Sequence, residues 1–273
     1  MKDSNLLKEK EEIVYRSYLA MGQYNIILDE IKDTPTTSYG LKGIKLLATF
    51  LSNPATKDTV ISTVNNLLQE ANTAITATGN SSLNTLSIIA AILHMHDDNV
   101  KEAMKCVHKA ANLEQHALLV QLYIRIDRSD LALKQVKTMK SIDEDNVLTM
   151  LASAWVNLAT GGSKIQEAAY TYDELIDKYG GTCLLLNGLA VCKMHSGNFD
   201  EAESLLNDSL TKSQSDVDTL ANLIVVSQHL NRTGDIISRY INQLRAKNPT
   251  HALVTSLSNF ENSFDRVAQS LKI

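Results

Sequence analysis

The clearest signal in this chain is the stretch Asn187-Gly-Leu-Ala-Val-Cys-Lys-Met-His-Ser-Gly-Asn-Phe-Asp-Glu-Ala202, where a helical pattern, a Gly-Asn turn and a second helical start follow one another. We expect the small side chain of Ala190 where the two helices cross, and Gly197 at the turn. Phe199 is placed to fill the elbow between the helices, and Ala202 lets the second helix pack closely on the first. The stretch therefore predicts a tight helix-turn-helix unit.

The unit recurs along the sequence with a nearly constant period. Ala168 stands 34 residues before Ala202, which is the length of a tetratricopeptide repeat. Equivalent positions follow at Ile237 and precede at Ala132 and Ala103. Such units bury their apolar faces against their neighbours. The pattern therefore predicts an all-α fold, an α-solenoid of tetratricopeptide-like helix-turn-helix repeats.

The whole chain, residues 1–273, is expected to form one such solenoid domain. The repeat register holds over 86–249, and 1–85 is expected to form less regular helix pairs. Residues 250–273 are expected to form a C-terminal helix that caps the last repeat. Its apolar side chains recur at helical spacing and are predicted to pack on that repeat: Phe260, Phe264, Val267 and Leu271.

The first part of the chain carries weaker signals of the same kind. Gly22 and Tyr24 repeat the Gly-x-Phe spacing of the clearest unit, which predicts a helix pair beginning near residue 8. Apolar residues at helical spacing predict a further helix over Thr59 to Ala77. The polar stretch from Thr76 to Asn84 is expected to be a loop before the regular repeats.

The composition agrees with a helical scaffold and disfavours nucleic acid as a partner. Of 273 residues, 44% are apolar but only 5% are aromatic, so the apolar content is mostly aliphatic or alanine, as close helix packing prefers. The formal net charge is −5. Because a nucleic-acid groove needs a basic surface, we expect neither RNA nor DNA binding.

No segment of the sequence predicts direct membrane insertion. The first twelve residues contain no apolar run of the kind that secretory signals carry. The longest apolar run, Ile88-Ile-Ala-Ala-Ile-Leu93, is far shorter than the roughly 20 residues that a membrane span needs. Three widely separated cysteines suggest no disulfide framework and are expected to be buried, reduced thiols: Cys106, Cys183 and Cys192.

No motif in the sequence predicts catalysis. His94 and His96 have metal-ligand side chains, but residues two apart point to different helix faces. The acidic cluster Asp143–Asp145 falls between predicted helices, where such residues form turns and caps. Gly161-Gly162-Ser163-Lys164 lacks the spacer and the preceding strand of a phosphate loop. We therefore expect no enzyme activity, cofactor, metal or small-molecule substrate.

The candidate site is instead a groove on the concave face, which the first helix of each repeat lines. Counting back from Ala202 and Ile237 places apolar side chains at its centre and amides at its edges. Such a groove suits an extended strand or hairpin of a partner protein, whose backbone needs amide partners and whose side chains need apolar pockets. With the lone tryptophan as a possible anchor, the predicted contacts are Trp155, Asn187, Val191, Met194, Asn222, Val226 and His229.

The sequence leaves open both the location of three of these side chains and the class of partner. Val191, Val226 and Trp155 are equally compatible with a place in the core between repeats. A cochaperone-type receptor for a terminal carboxylate is disfavoured, because the asparagine of the Lys/Asn clamp found in such proteins is replaced by Val191 and Val226. A cytosolic repeat adaptor that binds an extended peptide or hairpin remains the alternative function.

Several stretches resemble the epsilon subunit family of coatomer. They include Leu148-Thr-Met-Leu-Ala-Ser-Ala-Trp-Val-Asn-Leu-Ala-Thr-Gly-Gly162 and Asp218-Thr-Leu-Ala-Asn-Leu-Ile-Val-Val-Ser-Gln-His-Leu230. The likeness extends to Tyr15-Arg-Ser-Tyr-Leu-Ala20 and Asn262-Ser-Phe-Asp-Arg266, so that it spans nearly the whole chain. The Trp-Val-x-Leu-Ala-Thr-Gly-Gly segment is the most specific part, because the repeat pattern alone does not require it.

The resemblance implies a non-catalytic subunit of the COPI coat, which serves retrograde Golgi-to-ER and intra-Golgi transport. It implies that the partner is the C-terminal domain of the coatomer alpha subunit, which the epsilon subunit binds and stabilises. Membrane recruitment would come from the whole coatomer and a small GTPase, giving a cytoplasmic protein peripheral on Golgi membranes and COPI vesicles. The family also implies a further helix pair before Tyr15, so we expect the first repeat here to expose a face covered in other members.

Overall fold

The structure is a computed structural model that describes the backbone of residues 2–74 and 81–271. Within those ranges the chain forms fifteen α-helices, one short 3-10 helix at Pro54–Thr56 and no strand, which confirms the predicted all-α fold. The helices are α1 (Lys2–Ala20), α2 (Tyr24–Glu30), α3 (Tyr39–Ser52), α4 (Lys57–Ala74), α5 (Ser81–His96), α6 (Val100–Val107), α7 (Leu113–Arg125), α8 (Ser129–Ile142), α9 (Val147–Thr160), α10 (Lys164–Tyr179), α11 (Cys183–His195), α12 (Phe199–Lys212), α13 (Val217–His229), α14 (Gly234–Lys247) and α15 (Ala252–Ser270).

The helices follow one another as pairs, and the residue that sets the repeat period is buried in each. Ala103, Ala132, Ala168 and Ala202 lie near the start of the second helix of four successive pairs, and none of them is exposed. An alanine leaves room for the first helix of the pair to approach closely. The predicted period is therefore the spacing of close helix contacts.

Helix boundaries in the first part differ from the sequence-based predictions. The first helix begins at Lys2 rather than near residue 8. The helix predicted over Thr59 to Ala77 begins earlier, at Lys57. The predicted loop up to Asn84 is wrong for 81–84, which belong to α5 because polar Ser and Asn side chains are tolerated at a helix start. The rest of that loop, 76–80, lies outside the described residues.

The turn inside most pairs has one backbone geometry, repeated five times. One residue of each turn has a positive φ, and the N–H of the residue after it donates to the carbonyl five positions back, as in a Schellman motif. Glycine occupies this position twice, but aspartate and asparagine also adopt it because their short polar side chains tolerate the left-handed region. The five residues are Gly22, Asp98, Asp127, Gly197 and Asn231.

The chain divides into two units, Met1–Ala152 and Ser153–Ile273. In the first unit a buried carboxylate joins three helices. Glu12 of α1 accepts hydrogen bonds from Ser38 at the N-cap of α3 (3.0 Å) and from Ser82 (2.5 Å) and Thr85 (2.8 Å) of α5. These three hydroxyls replace the water that the buried carboxylate loses.

Two histidines of the first unit, His94 and His96, have pKa values below the ordinary value. His94 of α5 is buried and its Nε2 lies 3.0 Å from Asn65 Oδ1 of α4, while its Nδ1 has no hydrogen-bond partner within the described chain. Burial lowers the pKa of His94, although the nearby carboxylates of Glu102 and Asp97 partly oppose this effect. The pKa of His96, whose ring packs against Phe50, is lowered by partial loss of water contact and by the positive charge of Arg125.

The stability of the first unit should therefore fall in mild acid. Because the folded pKa values of these histidines lie below the ordinary value of about 6.5, the unfolded chain binds more protons at lower pH. The stability that neutral histidines contribute is complete above about pH 6.5 and is lost as the pH falls through the folded pKa values. We expect His94→Gln, which keeps an amide partner for Asn65, to reduce the stability lost between about pH 7 and pH 5.

Hydrogen exchange of peptides from α4 and α5, corrected for intrinsic rates and measured across that pH range, checks this expectation. The exposed His195→Gln of the second unit is the matched control and should leave the pH dependence of these peptides unchanged. Equal pH dependence in the parent and the His94→Gln variant would contradict it.

The three cysteines are free thiols, and the most buried of them is Cys192. Burial raises the pKa of Cys106 and of Cys192 to about 11. Cys106 and Cys183 are half-buried rather than fully enclosed as predicted. The thiols of Cys106 and Cys192 are therefore poor nucleophiles near neutral pH.

The C-terminal helix α15 packs against α13 and α14 of the same unit through its first turn. Val254 of α15 is buried against Leu220 and Ile224 of α13 and Leu244 of α14. The apolar stripe predicted to make this contact faces outward instead, and Phe260 and Phe264 are each 73% exposed. The prediction that the stripe packs on the last repeat is wrong. Val254 and Leu253 already cover the apolar surface of α13 and α14.

This placement predicts that the stripe contributes little to folding. Phe264→Ser is expected to change the free energy of unfolding by less than about 0.5 kcal/mol, since exposed side chains make few contacts to lose. Val254→Ala is the matched comparison on the same helix and should lower it by about 1 kcal/mol or more. Urea denaturation followed by circular dichroism distinguishes the two, and a larger loss from Phe264→Ser would show that the stripe does cover the last repeat.

Candidate partner-binding groove

The second unit carries an open cavity of about 470 Å³. Four helices and the residue that caps a fifth contribute to it: α9, α10, α11 and α13, with His251 at the N-cap of α15. Its walls are mostly apolar, and they are formed by Trp155, Leu158, Tyr172, Leu184, Val191 and Ala221. The polar lining residues are Asn187, Asp218, Asn222 and His251. The surface can therefore receive apolar side chains between a small number of polar groups.

Trp155 and Tyr172 form a fixed wall of this groove. The Trp155 indole N–H donates to the Tyr172 hydroxyl, and Tyr172 is only 2% exposed. Burial raises the pKa of Tyr172, with the hydrogen bond from Trp155 opposing it in part. A Cβ atom on Gly188 of α11 would lie 2.4 Å from two carbons of the Tyr172 ring. Glycine is therefore required where α11 crosses this ring.

Asn187 lies under the groove at the centre of a buried hydrogen-bond network. The side chain is 7% exposed. Its amide nitrogen lies 2.8 Å from the Cys183 carbonyl and 2.7 Å from the Thr219 hydroxyl. Its amide oxygen accepts a hydrogen bond of 2.9 Å from Asn222 of α13. Because these bonds engage its two amide hydrogens and its oxygen, Asn187 joins α11 to α13 rather than offering a free amide to a partner.

The network continues from Thr219 to the start of α13. The Thr219 hydroxyl lies 2.8 Å from the Ser209 hydroxyl of α12 and 2.6 Å from the Asp216 carboxylate. Asp216 is the N-cap of α13 and accepts a hydrogen bond of 2.9 Å from the Thr219 backbone N–H. Three helices of two successive repeats are thus fixed in register beneath the groove.

The family model of the coatomer epsilon subunit matches residues 1–272. This chain belongs to the coatomer epsilon subunit family. Coatomer subunit epsilon-1 of Arabidopsis thaliana is 43% identical over 262 residues, which cover 96% of this chain and 86% of the relative. Coatomer subunit epsilon of Dictyostelium discoideum is 32% identical over 268 residues, covering 96% and 87% respectively. The sequence likeness therefore extends along nearly the full chain.

Solved structures support the repeat fold of this epsilon-family chain. A tetratricopeptide repeat protein from Parabacteroides merdae superposes with a TM-score of 0.66 at 13% identity, covering 92% of this chain and 97% of that one. At that identity the likeness concerns the fold alone, and it agrees with an all-α solenoid of helix-turn-helix repeats.

Membership of the epsilon family makes this chain a component of coatomer, the COPI coat of vesicle transport, and a non-catalytic structural subunit. Within the described residues no helix is long and apolar enough to span a membrane. Over the same residues, no group of three or more His, Cys, Asp or Glu side chains is arranged to hold a metal ion.

The groove of this epsilon-family chain brings together four of the seven predicted contacts: Trp155, Asn187, Val191 and Asn222. The other three lie outside it. Val226 is fully buried among Ala190, Ala202, Leu206 and Leu223, so it belongs to the core between repeats, as the alternative interpretation held.

Met194 and His229 lie towards the elbow end of their helices. Met194 is half-buried and packs on the core cluster that contains Val226. His229 is exposed, and its ring stacks on Phe199 with centroids 4.2 Å apart. Counting from the repeat alanines placed Asn187, Val191 and Asn222 where the structure has the lining of the cavity. It did not hold for Met194, Val226 and His229, which pack on the core between repeats or on Phe199 instead.

The prediction missed the other seven lining residues, which are Leu158, Tyr172, Leu184, Gly188, Asp218, Ala221 and His251. Leu184 shares the helical face of the predicted Asn187 and Val191, so its spacing carried the signal. Tyr172 belongs to the second helix of its pair, α10, and His251 caps the terminal helix. A count limited to the first helices excludes both.

Proposed function

We propose that this coatomer subunit binds the C-terminal domain of the coatomer alpha subunit, and that the groove of its second unit holds an extended segment of that domain. The observation that carries the proposal is the open cavity of about 470 Å³ with apolar walls on a subunit of a multi-protein coat. By stabilising the alpha subunit, the chain would serve retrograde Golgi-to-ER and intra-Golgi transport.

The groove has the chemistry that an extended segment needs. Leu184 is 57% exposed at the groove and Val191 is half-buried, so their apolar surface can be covered by alternate side chains of a strand. Asn222 gives one amide hydrogen to Asn187 and has a second hydrogen and an oxygen with which to pair a backbone. The exposed carboxylate of Asp218 can accept from a backbone N–H.

The same proposal gives the subunit a route to the membrane through its partner, in keeping with the lack of a membrane-spanning helix among the described residues. The subunit would reach Golgi membranes and COPI vesicles through the alpha subunit and the rest of the coat, which a small GTPase recruits. It would be peripheral on the membrane and would make no direct lipid contact.

A pull-down with the C-terminal domain of the alpha subunit tests the groove. The test variant is Leu184→Asp with Val191→Asp, because both side chains lie at the groove and neither is fully buried. Tyr179→Asp is the matched control, since Tyr179 is an exposed apolar side chain of the same unit that does not line the groove. Asn187 and Val226 are unsuitable because changing them would disturb the buried network or the core.

The parent and the Tyr179→Asp control should retain the domain, and the double variant should lose at least about tenfold in affinity, as expected when carboxylates replace apolar contacts in a covered interface. Unchanged circular dichroism and melting temperature establish that the double variant is folded. A folded double variant that binds as well as the parent would contradict the groove. No binding by the folded parent would contradict the partner.

A short acidic peptide tail serves as a second ligand in the same experiment. Binding of such a tail in place of the alpha domain, with loss of that binding in the Leu184→Asp, Val191→Asp variant, would favour the repeat-adaptor function. The position where a carboxylate clamp needs asparagine is Val191 in the groove, so we expect no measurable binding of the tail there.

A further inference from the structure

The first unit carries a second open cavity, of about 480 Å³. It lies where the segment 33–35, which follows α2, meets α3 and α4. Its lining includes two lysines of α3, one carboxylate, and leucine side chains of α3 and α4. The residues that matter for its chemistry are Asp33, Lys42, Lys45, Leu46 and Leu67.

The cavity has an excess of one positive charge. Lys45 Nζ lies 2.8 Å from Asp33 Oδ2, so that this pair is neutral overall. Lys42 Nζ lies 5.7 Å from the centroid of the Tyr39 ring, and among the described residues no carboxylate lies within 4 Å of it. In a chain with a formal net charge of −5, the lining therefore offers one half-buried cation without an acidic partner.

The floor of the cavity is apolar. Leu46 and Leu67 are half-buried and pack against the core cluster of the first unit. Both leucines line the cavity together with Lys42. A ligand that covers these leucines gains binding free energy from the burial of apolar surface. A ligand that also carries an anionic group gains more from its charge pair with Lys42, because the partly buried site has a lower dielectric constant than water.

The hydroxyls around the cavity do not form a phosphate-binding array. Thr49 donates its hydroxyl to the Lys45 carbonyl at 2.8 Å, and the Thr34 hydroxyl lies 2.8 Å from that of Thr37 within the loop. A phosphate group needs several converging donors. A single ammonium group beside an apolar floor instead matches one carboxylate next to an aliphatic side chain.

We propose that this cavity binds an acidic peptide segment of a partner protein, with an Asp or Glu carboxylate on Lys42 and an aliphatic side chain over Leu46 and Leu67. The cavity belongs to the first unit and the groove of the proposed function to the second. The two proposals are therefore tested by different variants and can fail separately.

The test is an NMR titration of the full chain, in which the leucine methyl groups are isotopically labelled. The ligand is the blocked peptide acetyl-Gly-Asp-Leu-Asp-Leu-Gly-amide. We expect saturable shifts of the Leu46 and Leu67 methyl signals. The same peptide with Asn in place of Asp should bind about tenfold more weakly, as should Lys42→Gln with the acidic peptide, since each removes one charge-assisted contact. Lys32→Gln is the matched control, because Lys32 is exposed nearby but does not line the cavity.

Four results would overturn the proposal. They are the absence of saturable shifts at Leu46 and Leu67 at millimolar peptide, equal affinity for the Asn peptide, equal affinity in Lys42→Gln, and the same shifts produced by acetate alone. Equal binding by the parent and Lys32→Gln, together with a tenfold loss in Lys42→Gln, supports it.

Discussion

Gly188→Ala is expected to lower the free energy of unfolding by about 2–3 kcal/mol, the effect of overpacking a rigid core. Alanine normally stabilises a helix interior relative to glycine by about 1 kcal/mol, so the expected sign is opposite to that of helix propensity. The reason is that the new Cβ would lie 2.4 Å from the Tyr172 ring. That ring is buried and held by Trp155, so it has little room to move.

Urea denaturation followed by circular dichroism and by the fluorescence of Trp155, the single tryptophan, measures this loss. Gly234→Ala is the matched control, because Gly234 is also helical and in the same unit but a Cβ there would meet no atom within 4 Å. It should be neutral or slightly stabilising. A double variant with Tyr172→Leu should recover part of the loss in a mutant cycle. Equal effects of the two glycine substitutions would contradict the packing described at the groove.

Asn187→Ala is expected to lower the free energy of unfolding by about 3 kcal/mol, because it leaves buried hydrogen-bond partners unsatisfied and opens a small cavity. The groups left without their bond are the Thr219 hydroxyl, the Cys183 carbonyl and the Asn222 amide. The Asp216 carboxylate is linked to this network through Thr219. The substitution therefore loosens the contact between α11 and α13.

Asn222→Ala provides the comparison, because it removes the donor of the hydrogen bond to the Asn187 amide oxygen. Asn222 is half-exposed at the groove. Water can reach that side chain, so we expect a loss of about 1 kcal/mol or less. Hydrogen exchange of peptides from α11 and α13 should accelerate in Asn187→Ala far more than in Asn222→Ala. Similar losses in the two variants would show that Asn187 is a groove residue like its neighbour and not the centre of the network.

The repeat fold could be predicted because its determinants are local. Small residues at Ala168 and Ala202 and a left-handed turn at Gly197 act within one helix pair, and their spacing is visible in the sequence. The turns at Asp127 and Asn231 were harder to predict, because aspartate and asparagine adopt positive φ in many settings and are common in loops.

The candidate groove could be predicted only in part, because a helical pattern identifies an apolar face without identifying what covers it. Val226 and Val191 stand at equivalent positions of successive repeats, yet one is core and the other lines the groove. The stripe that includes Phe264 has the spacing of a packing face and is exposed. These outcomes depend on neighbouring helices, whose positions the local pattern does not fix.

The polar side chains of the groove are few, and their hydrogen-bond capacity decides what the groove can bind. They are the amide of Asn187, which is fully hydrogen-bonded, the half-exposed amide of Asn222, the carboxylate of Asp218 and the imidazole of His251 at the N-cap of α15. They are suited to pairing with a peptide backbone, in keeping with a structural subunit of a vesicle coat.

The most direct test of the central claim is site-specific photo-crosslinking to the C-terminal domain of the alpha subunit. A photoreactive amino acid replaces Leu184 at the groove in one version of the full chain and Tyr179, which is exposed outside the groove, in another. Binding of the domain in the groove predicts a crosslinked product from position 184 and none from position 179. A crosslink from position 179 with none from position 184 would show that the alpha subunit binds another surface.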